Sequence, residues 1–161
     1  MNISLVNIKA GLALVMLALV FGVGLGIAFG VNEAYFENYI AQGIAAHPAL
    51  HDANSPEKIW RYAQRAHFHA NGIAAFSIGL LLLVAASNLK QQWKKMTAFL
   101  IGLGGLYPLS WFTMFLLAPS IGRDTAHAHI VTELLTYIGV GGLVLGLVIL
   151  LANIFLGLLS E

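Results

Sequence analysis

Four long stretches of apolar residues divide the chain, and short polar segments separate them. They cover about residues 8–30, 70–87, 97–117 and 130–159. A helix needs about 20 apolar residues to cross the hydrocarbon core of a bilayer, and helices satisfy their own backbone hydrogen bonds there. The pattern therefore predicts an all-α integral membrane protein, a bundle of four transmembrane helices in a single domain. The first apolar run is longer than a signal-peptide core, so we expect it to be a retained helix.

The polar segment 31–65 is expected to form a loop with an interfacial helix. Tyr35, Phe36 and Tyr39 are typical of an aromatic belt at a membrane surface. The sequence HPALHDANSP is the clearest loop signal. Ser55 is suited to cap a helix, Pro56 to occupy its first position, and Glu57 to interact with the positive end of the helix dipole. A helix that starts there can run to residue 87.

Breaks and caps are also predicted later in the chain. Pro108 should kink the third helix near its middle. Asp124 or Thr125 is expected to cap the fourth helix. The tryptophans Trp60, Trp93 and Trp111 are expected to be belt or packing residues.

Composition agrees with lipid as the solvent, because 59% of the residues are hydrophobic and 9% are charged, against about a quarter charged in soluble domains. The chain has no cysteine, which excludes disulfides, iron–sulfur clusters, thiolate metal sites and covalently attached haem. Net charge is +1 and no basic tract points to nucleic acid. No catalytic nucleophile pattern is present, so enzymatic activity is undecided and catalytic residues are unknown; an oxidoreductase is the open option.

The histidines define one side of the membrane. With four spans both termini share a side, and all six histidines lie in or next to the loops 31–65 and 118–126 on the other side. Lys90, Lys94 and Lys95 crowd the short loop after the second span, which favours the cytoplasm for that loop. The histidine side also carries Lys58, Arg61, Arg65 and Arg123, so the count of basic residues alone does not decide the orientation. If a cofactor neutralises those arginines, the balance favours a multi-pass protein of the cell (inner) membrane with cytoplasmic termini and outer-face histidines, and this is the orientation that we expect.

Four of the histidines form two His-x-His pairs, His67 with His69 in RAHFHANG and His127 with His129 in RDTAHAHI. Residues two apart on a helix are about 200° apart, so the members of a pair face opposite ways. On regular helix each histidine therefore serves a different partner, whereas irregular backbone would let one pair hold a single ion.

Arginines accompany both pairs. Arg61, Arg65, His69 and Gly72 fall on one helical stripe. A haem ligated by His69 would lie flat where Gly72 leaves room, with its propionates toward the two guanidinium groups. Arg123 precedes the second pair in the same manner, so it is a third candidate for contact with the cofactor.

In the fourth helix, spacing places His129, Thr132, Glu133 and Thr136 on one face and His127 on the opposite side. Glu133 lies about one turn inside the apolar zone, where an ionisable group is costly and usually functional. It is expected to orient an imidazole, bind a metal or carry protons.

The cofactor depends on how many ligands converge. Haem b needs one or two axial imidazoles, whereas copper or zinc needs three or four ligands. A metal set is available if the helix ends converge, namely His67, His69, His127, His129 and Glu133. Haem b is the favoured interpretation, and copper as a second or only cofactor stays open. An accessory subunit with merely interfacial histidines is the third hypothesis.

Small residues at four-residue spacing predict close helix packing. They are Gly22, Gly26 and Gly30 in the first helix, and Gly142 and Gly146 in the last.

The segments RAHFHANG and TAHAHIVTELL resemble the His-x-His helices of haem–copper oxidase catalytic subunits and of small four-helix membrane proteins related to them in pattern. The resemblance covers a small part of the chain. It implies that His67 and His69 are one pair of axial ligands, and that His127 and His129 are the other. The chain lacks the oxidase's number of helices and its separate copper-ligand helix, so the resemblance favours a haem-binding subunit or compact b-type cytochrome. Such a protein would exchange electrons with quinone or an outer-side redox partner, as a homo-oligomer or as a subunit of a membrane complex.

Overall fold

The computed structural model describes residues 5–161, and every regular element in this range is a helix. The elements are α1 (Lys9–Ala46), α2 (Ser55–Ala86), α3 (Gln91–Leu103), α4 (Tyr107–Ile121), α5 (Arg123–His127) and α6 (Ile130–Leu156). Four helical stretches are long and apolar enough to cross a membrane: Leu5–Ala46, Ser55–Ala86, Gln91–Ile121 and Ile130–Leu156. The predicted all-α fold with four transmembrane helices is confirmed, and the chain is a multi-pass membrane protein.

The first two helices are much longer than a bilayer requires. α1 has 38 residues and α2 has 32, which gives lengths of about 57 and 48 Å against a hydrocarbon core of about 30 Å. The segment 31–65, expected to be a loop with an interfacial helix, therefore consists mostly of the outer ends of these helices. Only residues 47–54 connect α1 to α2.

The start of α2 agrees with the sequence signal, with one shift in detail. Ser55 is the first helical residue and Asn54 occupies the cap position without a side-chain bond. The Ser55 hydroxyl instead donates to Asp52 Oδ1 at 3.0 Å.

A break divides α1 at Asn32, whose φ of −153° and ψ of 65° are not helical. The backbone N–H of Tyr35 donates to Asn32 Oδ1 at 3.2 Å. Because an Asn side chain that accepts from a backbone N–H three residues later is a helix cap, the outer part of α1 begins as a new helical segment at this point.

The third span changes its helical form at its middle. α3 passes into a 3₁₀ turn over Gly104–Leu106, directly before Pro108. Proline has no N–H to donate, and its ring clashes with the carbonyl four residues earlier, here that of Gly104. The third span therefore changes to a 3₁₀ turn next to the proline at which a kink is predicted.

The third span is the centre of the bundle, and α1, α2 and α6 pack against it. Along α6, glycines let the backbones approach closely. A Cβ atom on Gly139 would lie 2.7 Å from the backbone nitrogen of Tyr107, and one on Gly146 would lie 3.0 Å from that of Ile101. A Cβ atom on Gly142 would lie 3.0 Å from a backbone oxygen of α3. The close packing predicted for Gly142 and Gly146 is confirmed.

The contact between α1 and α2 also uses glycines. A Cβ atom on Gly22 would lie 2.8 Å from Ala70 Cβ, and one on Gly26 would lie 2.6 Å from His67 Cε1. Gly30 has nothing within 4 Å. The predicted glycine stripe therefore makes close contacts at two of its three positions.

The helix ends next to the loop of residues 47–54 enclose an aromatic core. The Phe36 ring packs on Trp60 and Phe115, and the Tyr39 hydroxyl donates to the Leu116 carbonyl at 2.6 Å. Of the three aromatics predicted to form a membrane belt, only Tyr35 is exposed (65%). The other two lie inside because the outer part of α1 packs on α2 and α4 instead of lying on the membrane surface.

Candidate cofactor site

His67 lies on α2 and faces α1. Its Nδ1 donates to the Gly22 carbonyl at 2.7 Å, and its ring packs against Gly26, which has no side chain to displace it. The Asn71 side-chain amide donates to the His67 carbonyl at 3.1 Å. These contacts hold the imidazole beside a groove of about 310 Å³ between α1 and α2.

His69 faces the opposite direction, toward α4. Its Nδ1 donates to the Arg65 carbonyl at 2.8 Å, and its ring centroid lies 5.1 Å from that of Tyr107 and 5.8 Å from that of Trp111. The Arg65 guanidinium carbon lies 4.7 Å above the Trp111 ring. The prediction that the two histidines of this pair face different neighbours is confirmed.

Both imidazoles of α2 have the same ring nitrogen occupied. A carbonyl oxygen only accepts hydrogen bonds, so the contacts with Gly22 and Arg65 require a proton on Nδ1 of His67 and of His69. Asn71 Nδ2 also lies 3.2 Å from His67 Nδ1, but this amide has the His67 carbonyl as its acceptor, and we assign the His67 proton from the shorter contact with Gly22. In a neutral ring this leaves Nε2 with an unprotonated lone pair. A histidine that ligates a metal through Nε2 is commonly fixed by this Nδ1–H bond to a backbone carbonyl. The arrangement on α2 is therefore compatible with two ligating imidazoles on opposite sides of one helix.

The residues predicted to contact a cofactor beside His69 differ in whether they already have partners in the structure. Gly72 lies one turn deeper, and a Cβ atom placed on it would have nothing within 4 Å, so space beside the helix is open there. Arg61 pairs with Glu57 on its own helix. Arg65 has no carboxylate within 4.0 Å among residues 5–161, so its charge is available for an anionic group.

Arg123 has a structural partner. Its Nη2 donates to Asp52 Oδ2 at 3.1 Å, and the neighbouring His51 Nε2 donates to the Pro119 carbonyl at 3.0 Å. These two bonds fasten the α1–α2 loop to the end of α4 and the start of α5. The Ser55 hydroxyl is the main reason that the pKa of Asp52 lies below its usual value, and the Asn54 N–H, Lys58 and Arg123 add to this effect.

The second His-x-His pair lies on a broken helix. α5 ends at His127, and His129 is the cap of α6, where its Nδ1 accepts from the Val131 N–H at 3.3 Å. The prediction that Asp124 or Thr125 caps this helix is wrong, because both lie inside α5.

The break also changes which histidine accompanies Glu133. His127 lines a cavity together with Thr132, Glu133 and Thr136, whereas spacing along an unbroken helix predicts His129 on that face and His127 on the other. His129 uses Nδ1 as an acceptor, so in the neutral ring its proton is on Nε2. In this tautomer His129 has no lone pair left for a metal.

The five predicted metal ligands do not converge. Within residues 5–161 no three side chains of His, Cys, Asp or Glu are close enough to hold one ion. His67 and His69 point to different neighbours, and His129 caps its own helix. Haem requires only one or two of these imidazoles, whereas copper or zinc needs three or four ligands.

Two contributors to the site are not predicted by the sequence, Tyr107 and Trp111. The sequence favours only a belt or packing role for Trp111. The two aromatics are four residues apart in α4, so they lie on one helix face and could have been grouped by that spacing. What the sequence does not reveal is that this face is the one opposite His69.

Comparisons with family models, with curated proteins and with solved structures give no match for this chain.

Proposed function

We propose that this protein is an integral membrane redox protein that binds haem b, with His69 of α2 as an axial ligand. The observation that carries the proposal is the Nδ1–H bond from His69 to the Arg65 carbonyl at 2.8 Å, which leaves Nε2 as a lone-pair donor. This contact lies at an exposed position, so a ligand can reach the imidazole.

The neighbours of His69 fit a flat, anionic macrocycle. Gly72 leaves open space one turn deeper. Arg65 has no carboxylate partner in residues 5–161 and lies one turn toward the outer side, where it can bind a propionate. Arg61 and Arg123 already have acidic partners, so they are secondary candidates for this contact.

His67 is the second ligand in this proposal, on the α1 side of the same helix. Its Nδ1 is also bonded to a carbonyl, and it lines a groove of about 310 Å³, which is within the range of small-molecule sites. Haem at His69, at His67 or at both gives electron transfer along the outer side of the bundle. The partners are a membrane quinol and an outer-side redox protein, in a homo-oligomer or a larger complex.

The proposal also includes the orientation of the protein in the membrane. The termini and the loop with Lys90, Lys94 and Lys95 lie in the cytoplasm, and the histidines lie on the outer side of the inner membrane.

The test is an absorption spectrum of the purified protein, oxidised and dithionite-reduced, with metal analysis of the same sample. We expect a Soret band and split visible bands that are reduced in His69→Ala and lost when His67 and His69 are both replaced by alanine. They should be retained in the control His47→Ala, because the His47 side chain is exposed at the end of α1. Iron-free protein without a chromophore would contradict the proposal. If His69→Ala fails to fold, His69→Gly supplemented with imidazole replaces it, and recovery of the spectrum is expected.

A steric variant tests where the haem lies. Gly72 and Gly79 are both open on α2, with nothing within 4 Å, and they are seven residues apart on nearly the same face. Gly72→Phe should reduce haem content severalfold, whereas Gly79→Phe, two turns deeper, should leave it unchanged. Equal haem content in both variants would argue against a haem beside Gly72.

A further inference from the structure

A cavity of about 110 Å³ lies between α4 and α6, with His127 of α5 in its lining. Its polar lining includes Ser110, Thr132, Glu133, Thr136 and His127. The aromatic lining is Tyr107, Trp111 and Tyr137, and the last of these is 69% exposed. The cavity is thus partly open and accessible at the surface of the bundle.

Three hydroxyl groups at this cavity have their protons engaged elsewhere. Ser110 donates to the Tyr107 carbonyl at 2.7 Å, Thr132 to the Ala126 carbonyl at 2.8 Å, and Thr136 to the Thr132 carbonyl at 2.8 Å. A hydroxyl has one proton and two lone pairs. These side chains can therefore only accept further hydrogen bonds, so they select a ligand that donates.

Glu133 adds to this excess of acceptors. Among residues 5–161, the Glu133 carboxylate accepts no side-chain hydrogen bond, and no Lys, Arg or His nitrogen lies within 4.0 Å of it. An unpaired carboxylate in an apolar segment is costly, and a donating hydroxyl on a ligand would offset part of that cost. Trp111 also lines the cavity, and its buried Nε1 has no acceptor in the described chain.

The aromatic walls and the open side of the cavity suit a single six-membered ring. A cavity of about 150 Å³ in another protein admits benzene; this one, at about 110 Å³, is smaller but open on one side, so part of a ring can extend beyond it. Aromatic rings pack favourably against one another at centroid distances of about 4.5–7 Å. A ring with hydroxyl substituents satisfies both the aromatic and the acceptor lining.

We propose that this cavity binds the head group of a membrane hydroquinone, with its hydroxyl groups donating to Glu133 and to the Ser110, Thr132 and Thr136 oxygens. The consequence for electron transfer rests on the proposed haem function. Tyr107 and Trp111 line the cavity and also pack against the His69 ring, with ring centroids 5.1 and 5.8 Å from that of His69. The bound ring is then separated from His69 by one layer of aromatic side chains.

The test measures binding of decylhydroquinone to the purified protein in lipid nanodiscs, with empty nanodiscs giving the lipid partition. Its dimethyl ether has the same ring but no hydroxyl donor. We expect the ether to bind at least about tenfold more weakly, because it cannot satisfy the acceptors. Equal binding of the two compounds, or no binding of either above the lipid background, would overturn the proposal.

Variants locate the site. Thr136→Val removes one acceptor and keeps the side-chain shape, and Glu133→Gln removes the charge; both should weaken hydroquinone binding severalfold. The matched control is Thr113→Val, because Thr113 on α4 also bonds a carbonyl four residues earlier at 2.8 Å but does not line the cavity. Binding that is insensitive to both cavity variants, or equally sensitive to the control, would place the ligand elsewhere.

The binding readout is independent of haem, so the two proposals fail separately. Hydroquinone binding by protein without haem would retain this site and reject the haem ligand. A protein that contains haem but does not bind hydroquinone would retain the haem ligand and reject this site.

Discussion

The imidazole of His69 stacks on the indole of Trp111, with ring centroids 5.8 Å apart and an angle of 24° between the planes. The guanidinium of Arg65 lies over the same indole at 4.7 Å, and the Arg65 carbonyl accepts the Nδ1–H of His69. Two residues one turn apart on α2 are thereby held to one residue of α4. The position of His69 is determined by packing between spans as well as by its own helix.

Replacing Trp111 should loosen this cluster. An aromatic pair contributes about 0.5–1.5 kcal/mol beyond burial, and a cation over an indole contributes about 0.5–1 kcal/mol. Trp111→Leu should therefore lower the free energy of unfolding by on the order of 1–2 kcal/mol, and Trp111→Phe by less, because it keeps a stacking ring. Thermal unfolding of the wild type and the two variants in the same detergent checks this order of stability. Equal stability of wild type and both variants would mean that the stacking contributes nothing.

The histidines should differ in their tautomers. His67 and His69 donate from Nδ1 to carbonyls, whereas His129 accepts at Nδ1 and holds its proton on Nε2. Nitrogen-15 NMR of histidine-labelled protein without a bound metal, at a pH where the rings are neutral, distinguishes the two forms. Assignment uses His→Gln variants at single positions. A common tautomer for all three would contradict these hydrogen bonds.

Gly26 should tolerate no side chain, whereas Gly24 should. A Cβ atom at Gly26 would lie 2.6 Å from His67 Cε1, and Gly24 has nothing within 4 Å. Gly26→Ala should push His67 from its bond to the Gly22 carbonyl and lower the unfolding temperature. Gly24→Ala should be neutral or slightly stabilising, since alanine is the better helix former by about 0.5–1 kcal/mol. The comparison needs only the two unfolding curves, and similar shifts would count against close packing at His67.

Asp52 should make the outer loop sensitive to acid. Its folded-state pKa is lowered, chiefly by the Ser55 hydroxyl, so its stabilising effect is present above the unfolded pKa and is lost as the pH falls through the lower folded value. Asp52→Asn should lower the unfolding temperature slightly at neutral pH, because the carboxylate is exposed and solvent screens its interactions. The difference should shrink as the pH falls below 3.8, the ordinary pKa of an aspartate side chain, and disappear below the folded-state pKa.

Two comparisons complete that experiment. Arg123→Gln removes the partner of Asp52 and should give a smaller effect, because the Ser55 contribution remains. A difference between wild type and Asp52→Asn that persists unchanged in acid would show that the carboxylate charge is not involved.

The arrangement of spans could be predicted because it depends on local properties. Apolar length located the four spans, and Pro108 located the change of helical form in the third. The spacing of His67 and His69 on unbroken helix gave their opposite directions correctly. In each case the geometry of one helix was sufficient.

The second histidine pair shows where that reasoning fails. A break between α5 and α6 turns His127 rather than His129 toward Glu133, and no proline or glycine between them signals it. The packing of Phe36 and the opposition of Trp111 to His69 likewise depend on which helices are neighbours. That information is absent from the periodicity of any single segment.

α6 packs on the third span along one glycine-lined face, and this packing limits the substitutions that α6 can accept during evolution. Gly139, Gly142 and Gly146 meet backbone or side chains of the third span at less than 3.4 Å from a Cβ position, so each alternative residue there forces two spans apart. The opposite face, with Val144, Val148 and other exposed apolar side chains, requires only that its residues be apolar. In related chains α6 should therefore keep its small residues at fixed spacing while almost everything around them is exchanged.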